Sequence, residues 1–343
     1  MKRFSRFAWF VLAFNVAVVL WGAVVRATVS GAGCGQHWPR CNGEVLPSFE
    51  DRRTIIEYSH RLTSGVALLL VVALAVWAWR LRRAAINEQA AIVSRFANAS
   101  LVLMIGEALL GAGLVLLRLV ELDASARRAV SMSLHLVNTF VLLSAITCTA
   151  ACATWPLTPR WRAHPARSLV IKSTLALILV GITGALAALG DTLFPAASLA
   201  AGLAADADET AHALLRLRML HPLVAVFGAV VLALAASRFS DHIAPEVDPD
   251  ASVDNPHSRG FAGVSKVFLV ALFAQLTMGA LNLVLLVPLW AQLVHLLLAD
   301  FVVISFALNA LMALSAGTKV GNEAAAPPVR PSEAATLEKP TSA

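Results

Sequence analysis

Long apolar runs separated by short polar or basic connections make up most of this chain. Eight of them, near residues 8–25, 58–79, 96–117, 130–152, 168–189, 214–236, 265–287 and 290–314, hold eighteen residues or more. Each is long enough, as a helix, to cross a hydrocarbon layer of about 30 Å. The runs are continuous rather than alternating, and a helix satisfies its own backbone groups in lipid, so helices are expected rather than a barrel. The pattern predicts an all-α integral membrane protein with eight transmembrane helices. Two stretches fall outside it: 240–260 ("SDHIAPEVDPDASVDNPHSRG") and the Ala/Pro/Glu-rich tail from 317 to 343. Both are too poor in apolar side chains to fold alone.

Composition agrees: 58% of the 343 residues are hydrophobic and only 14% are charged. The net charge of +6 would suit nucleic acid, but its placement fits topology better. Most Lys and Arg fall in the N-terminus, the tail and alternate connections, such as Lys2, Arg3 and Arg6, Arg80 to Arg83, and Arg160 to Arg167. By the positive-inside tendency both termini are expected on the cytoplasmic side of a bacterial-type inner membrane. "MKRFSR" is too short for an organellar presequence, and seven further spans favour a retained first helix over a signal peptide.

The runs also repeat. Histidines stand near the starts of the even spans, in "EYSHRL" (His60), "SMSLHL" (His135), "RMLHPL" (His221) and "AQLVHL" (His295). The first two lie 75 residues apart and the last two 74. In the odd spans "GAVVRATVSG" (Gly22 to Gly31) lies over "GITGALAALG" (Gly181 to Gly190), and "EALLG" (Glu107, Gly111) over "QLTMG" (Gln275, Gly279). The chain reads as two homologous four-helix bundles in parallel repeat, 1–153 and 168–314, joined by a basic linker at 154–167 and followed by a tail at 315–343. The other histidines, His37, His164, His212, His242 and His257, fall in connections; apart from His37 they are expected on the solvated surface.

A lone histidine on an apolar helix is ordinarily a packed, hydrogen-bonded residue. Four at matched spacing carry more weight, because ionisable side chains in spans are costly. All even helices run in one direction, so the four imidazoles lie at similar depth. In each half two of them can face a shared point. Two nitrogens on opposite sides of a flat macrocycle is how a six-coordinate haem iron is held, whereas zinc or copper calls for three or four clustered ligands. Haem propionates need cationic partners, and arginine suits carboxylates. Arg61 beside His60 and Arg218 ahead of His221 are the candidates; Arg127, Arg128 and Arg216 read as span-end charges.

The halves differ. Three residues before each histidine stand Glu57, Met132, Arg218 and Gln292. Glu57 shares a helix face with His60, and a carboxylate there can move protons or stabilise positive charge; a charge favoured by the helix dipole is the other reading. The loop "SGAGCGQHWPRCNG" holds Cys34 and Cys41 and has no counterpart at 190–213. In an oxidising outer compartment the pair suits a disulfide, with free redox-active thiols as the alternative. Cys148 and Cys152, inside the fourth span, read as packing residues.

"SGAGCGQHWPRCNG" followed by "IEYSHRL" resembles the haem A synthase family, and the resemblance extends over residues 1–314. It implies haem O as substrate in the first half, facing His60 and His135, and haem b as cofactor in the second, ligated by His221 and His295. Glu57 matches the acidic residue implicated in that family's catalysis, and Cys34 and Cys41 its first-loop pair, which can form a disulfide. His37 departs from the acidic residue expected before Trp38, and the second outer cysteine pair of some members is missing. The implied reaction oxidises a methyl group of haem O to the formyl of haem A by two hydroxylations and loss of water. It implies an electron donor, a haem O synthase as supplier, the lipid bilayer as setting and a homo-oligomer as an open arrangement. The competing reading is a non-enzymatic di-haem b cytochrome carrying electrons from quinol, which leaves Glu57 and the cysteine loop of one half unexplained. A repeat-built transporter would want broken helices and paired midplane charges.

Overall fold

The computed structural model describes residues 1–85, 87–161, 164–243 and 256–315. Ten helices are seen among them, and eight spans are long and apolar enough to cross a membrane. They are α1 (Lys2–Ala27), α2 (Arg52–Ala84), α3 (Glu88–Leu116), α4 (Ala126–Thr154), α5 (Arg167–Leu193), α6 (Leu199–Ala207), α7 (Ala213–Arg218), α8 (Leu220–Ile243), α9 (Pro256–Val284) and α10 (Leu289–Ser315). The helices outrun the apolar stretches that announce them. The 33 residues of α2 would extend about 50 Å at 1.5 Å per residue, longer than a hydrocarbon layer of about 30 Å. Within 240–260, residues up to 243 continue α8 and those from 256 open α9; 244–255 and the tail from 316 lie outside the described residues.

Two local features go beyond the eight-span pattern. The connection at 194–212 contains α6, started by Ser198, whose hydroxyl accepts the Ala201 N–H at 3.1 Å. The sixth span is broken into α7 and α8 at Met219. Pro222 explains the break, since it has no N–H for the carbonyl of Arg218 and its ring crowds that oxygen. The other starts are conventional: Asp51, Asn87 and Ser125 cap α2, α3 and α4 through side-chain oxygens.

Helices α1 to α4 pack in a ring, with α4 returning to α1. Helices α5, α8, α9 and α10 form a second ring, and α4 and α10 pack together where the rings meet. These two are the most buried spans. Burial along them is uneven. Apart from Arg128, Ala129 and Ser133, α4 is buried only from Thr139 onward, and α10, apart from Ala291, only from Asp300 onward. The apolar core, with Leu74, Leu143, Ile146, Phe239 and Phe268, therefore fills one end of the molecule. The histidines stand at the other end, where the helix faces are half open.

Helices α1, α3 and α9 share one ending. Val29, Arg118 and Leu286 adopt φ of 53°, 59° and 60°. The next residue in each case bonds back five positions, Ser30 to Val25 (2.9 Å), Leu119 to Leu114 (2.8 Å) and Val287 to Asn282 (2.8 Å). This is the Schellman arrangement, which satisfies the last carbonyls of a helix.

Candidate functional site

The four span histidines come together in pairs. His60 and His135 are close enough for their charges to interact, as are His221 and His295. A glycine of the preceding span faces each ring. A Cβ on Gly22 would lie 3.1 Å from His60 Cε1, one on Gly184 3.1 Å from His221 Cε1, and one on Gly279 3.0 Å from His295 Cε1. The fourth, Gly111, faces His135 Nε2 at a looser 3.9 Å. Gly22, Gly111 and Gly279 each stand seven residues before the left-handed residue that ends their helix. In α5 it is Gly184, not Gly181, that takes the place of Gly22. Gly181 instead makes room for Phe140, whose Cε2 lies 2.7 Å from where its Cβ would be. The alignment of "GITGALAALG" on "GAVVRATVSG" is thus shifted by three residues, nearly one turn.

The residues present fit a flat iron macrocycle. Side-chain-free glycines beside half-open imidazoles leave width for a thin, broad ligand. Nδ1 of His60, of His135 and of His295 has no protein hydrogen-bond partner among the described residues. Among those residues no three His, Cys, Asp or Glu side chains are placed to hold a metal ion between them. His60 and His135 would hold one group, His221 and His295 the other.

The loop between α1 and α2 is bound to α2 along one stripe. Thr54, Glu57, Tyr58 and Arg61 fall on a single face by their spacing. Thr54 Oγ1 donates to the carbonyl of Gly33 at 2.6 Å and Tyr58 to that of Val45 at 3.0 Å. Glu57, 3% exposed, accepts the Cys34 N–H at 2.7 Å on Oε2 and the Arg61 guanidinium on Oε1. Arg61 also donates to the carbonyls of His37 and Arg40. Gly33 is obligatory, because a Cβ there would meet the Arg53 backbone at 2.4 Å. Cys34 and Cys41 form the disulfide and are fully buried. "CNGE" closes the loop as a tight turn, with Asn42 and Gly43 at φ of 53° and 86°; Asn-Gly is the pair such a turn favours.

Arg218 is held differently. It donates to Asp206 Oδ1 at 2.5 Å and Asp191 Oδ1 at 2.9 Å, clamping α6 and α5 to α7. Both proposed propionate arginines thus already have carboxylate partners in the protein. Other residues escaped the sequence reading. Arg26 crosses between the rings, donating to Thr192 Oγ1 and the Ala188 carbonyl at 2.6 Å each and to Gln292 Oε1 at 2.8 Å. Its signal was one arginine closing an apolar run. Asp300 is wholly buried, with neither oxygen bonded to protein among the described residues. His164, expected on the surface, is 5% exposed, and its Nδ1 accepts the Ala166 N–H; a tight turn before α5 folds it inward. His212 caps α7. The side chains of His242 and His257 lie outside the described residues.

Eight apolar spans, two pairs of glycine-faced imidazoles and a disulfide-closed first loop define a multi-pass α-helical membrane protein. The chain belongs to the COX15-CtaA family of cytochrome oxidase assembly proteins, whose sequence profile matches residues 5–307. It is 41% identical over 321 residues to a Thermus thermophilus protein named protoheme IX farnesyltransferase, a match covering 93% of this chain and 50% of that one. It is also 44% identical over 98 residues to heme A synthase of Alkalihalophilus pseudofirmus, covering 29% and 31% of the two chains. With heme A synthase of Halalkalibacterium halodurans the identity is 45% over 100 residues, covering 29% and 32%. The chain thus spans about half the length of the Thermus relative it matches.

Proposed function

We propose that this protein oxidises a methyl group of haem O to the formyl group of haem A, by two successive hydroxylations and loss of water. The observation that carries the reading is the pairing of His60 with His135 and of His221 with His295, each ring faced by a glycine. In this reading residues 1–153 and 168–314 are repeats of one four-helix unit. The first binds haem O as substrate between His60 and His135. The second binds haem b through His221 and His295, and haem b when bound supplies one-electron chemistry drawn from an electron donor. The relatives named heme A synthase support this assignment.

The protein's own part is to position the substrate and exclude water. The disulfide-closed loop, fastened to α2 by Thr54, Glu57, Tyr58 and Arg61, covers the outer end of the first pocket. Glu57 is the carboxylate that takes or stabilises charge beside His60. It is buried and already oriented, so little reorganisation opposes it. Arg61 and Arg218 share their remaining donor capacity with propionates. Both termini face the cytoplasm of a bacterial-type inner membrane. A farnesyltransferase hands over haem O directly, a reading supported by the farnesyltransferase name of a Thermus relative, half of which matches 93% of this chain.

Extraction of the pigment from purified protein, followed by mass analysis, tests the proposal. Haem b together with haem O or haem A is the expected result. Haem b alone would replace the enzyme with an electron-carrying cytochrome. Absorption bands untouched by His221→Ala or His295→Ala would remove the cofactor assignment.

A further inference from the structure

The imidazoles do not have the same surroundings at Nδ1. His221 Nδ1 lies 3.1 Å from the Thr183 hydroxyl. His60 Nδ1, His135 Nδ1 and His295 Nδ1 make no directed hydrogen bond to protein among the described residues, but His135 has a carboxylate beside it. His135 Nδ1 stands 3.1 Å from Oε1 of Glu107, on α3. Glu107 is held in place by the helix it serves. Asn138 Nδ2 donates to its Oε2 at 2.6 Å and Thr139 Oγ1 lies against Oε1, from positions three and four residues beyond His135. Asn138 also donates to the Leu103 carbonyl of α3 at 3.0 Å. The carboxylate cannot swing away without breaking contacts to two neighbouring side chains.

The other ring has no such acid. Gln275 stands four residues before the glycine facing its histidine, as Glu107 does before Gly111. Its amide nitrogen lies 3.4 Å from His295 Nε2, and its Oε1 has no partner among the described residues. The equivalent place therefore holds a carboxylate in one site and a neutral amide in the other.

We propose that Glu107 is a positioning residue for His135: it takes the Nδ1–H, leaves Nε2 as the ligand nitrogen, and sets the first pocket at a lower reduction potential than the second. The inference rests on the haem reading of the site. A carboxylate behind a metal-bound imidazole fixes the tautomer and raises the basicity of the ligand. Negative charge so near the iron stabilises the ferric over the ferrous state. Haem potentials respond to hydrogen bonding of this kind.

The test uses the full chain purified with its pigments, by redox titration and low-spin ferric EPR. The signal lost in His135→Ala is assigned to the first pocket. Glu107→Gln is expected to keep that pigment, raise its midpoint potential and shift its EPR signal. Gln275→Glu is expected to lower the midpoint of the second pocket, which keeps the proposal testable should Glu107→Gln fail to fold. Unchanged midpoint and EPR signal in Glu107→Gln, or an unchanged midpoint in Gln275→Glu, would overturn the role of Glu107. Pigment fully retained in His135→Ala would overturn the haem reading instead, so the two failures are told apart.

Discussion

The carboxylate of Glu57 accepts the backbone N–H of Cys34 at 2.7 Å. One bond joins the acidic residue beside the first histidine to the first half-cystine of the outer loop. Arg61, one turn further along α2, completes the attachment from the other carboxylate oxygen. The proposed catalytic carboxylate and the fastening of the loop are therefore the same side chain.

Glu57→Gln is expected to leave the haem-to-protein ratio near normal and to stop formation of the formyl product, read by mass analysis of extracted haem. Arg61→Ala separates the two roles of Glu57. It removes the bonds to the His37 and Arg40 carbonyls but keeps the carboxylate, and it should retain measurable product. Equal loss in both variants would show that Glu57 works only through the loop.

Replacing Cys34 and Cys41 together by serine should loosen the loop without unfolding the bundle. Loop-closure entropy for so short a ring corresponds to about 2–3 kcal/mol. Faster proteolytic cleavage within residues 28–51, with the helical circular dichroism signal unchanged, is the expected outcome.

The glycines facing the imidazoles allow a steric test. Gly184→Val and Gly279→Val place carbon where His221 Cε1 and His295 Cε1 already stand at 3.1 and 3.0 Å from a Cβ. Both variants should lose the second-pocket absorption bands. Gly65, with nothing within 4 Å of its Cβ position, is the control. Gly65→Ala should keep all pigment and, by helix propensity, gain up to about 1 kcal/mol.

Arg218→Ala should destabilise the second ring. It leaves Asp191 and Asp206, 16% and 8% exposed, without their shared counter-charge. Removing one partner of a buried pair costs about 3–5 kcal/mol. A lower midpoint of thermal unfolding in detergent is expected, with partial recovery when Asp191→Asn and Asp206→Asn are added. No recovery would mean that Arg218 contributes by packing alone.

Much of this was legible residue by residue. A bilayer demands about twenty apolar residues per crossing, so the eight spans announce themselves, and four histidines at matched spacing stand out against them. The cysteine pair disclosed the closed loop, and Asn42-Gly43 encodes its turn, because turn chemistry is local. The same local signals missed the break before α8, although Pro222 marks it, because the apolar run continues through it. They also set the glycine register in α5 one turn off, since "GITG" offers two glycines and only the packed neighbours distinguish them.

The sequence by itself determined the class of protein, the number of apolar spans, and the disulfide-forming pair. These follow from lipid solvation and from side-chain identity, which need no knowledge of neighbours. Only the tertiary structure decided that Glu107 stands 3.1 Å from His135, that Arg26 ties the two rings together, that Arg218 is matched by Asp191 and Asp206, and that Asp300 is buried with no protein partner among the described residues. Buried polar groups find partners through helix packing, across separations as large as the 266 residues from Arg26 to Gln292, and no pattern along the chain encodes which partner each will meet.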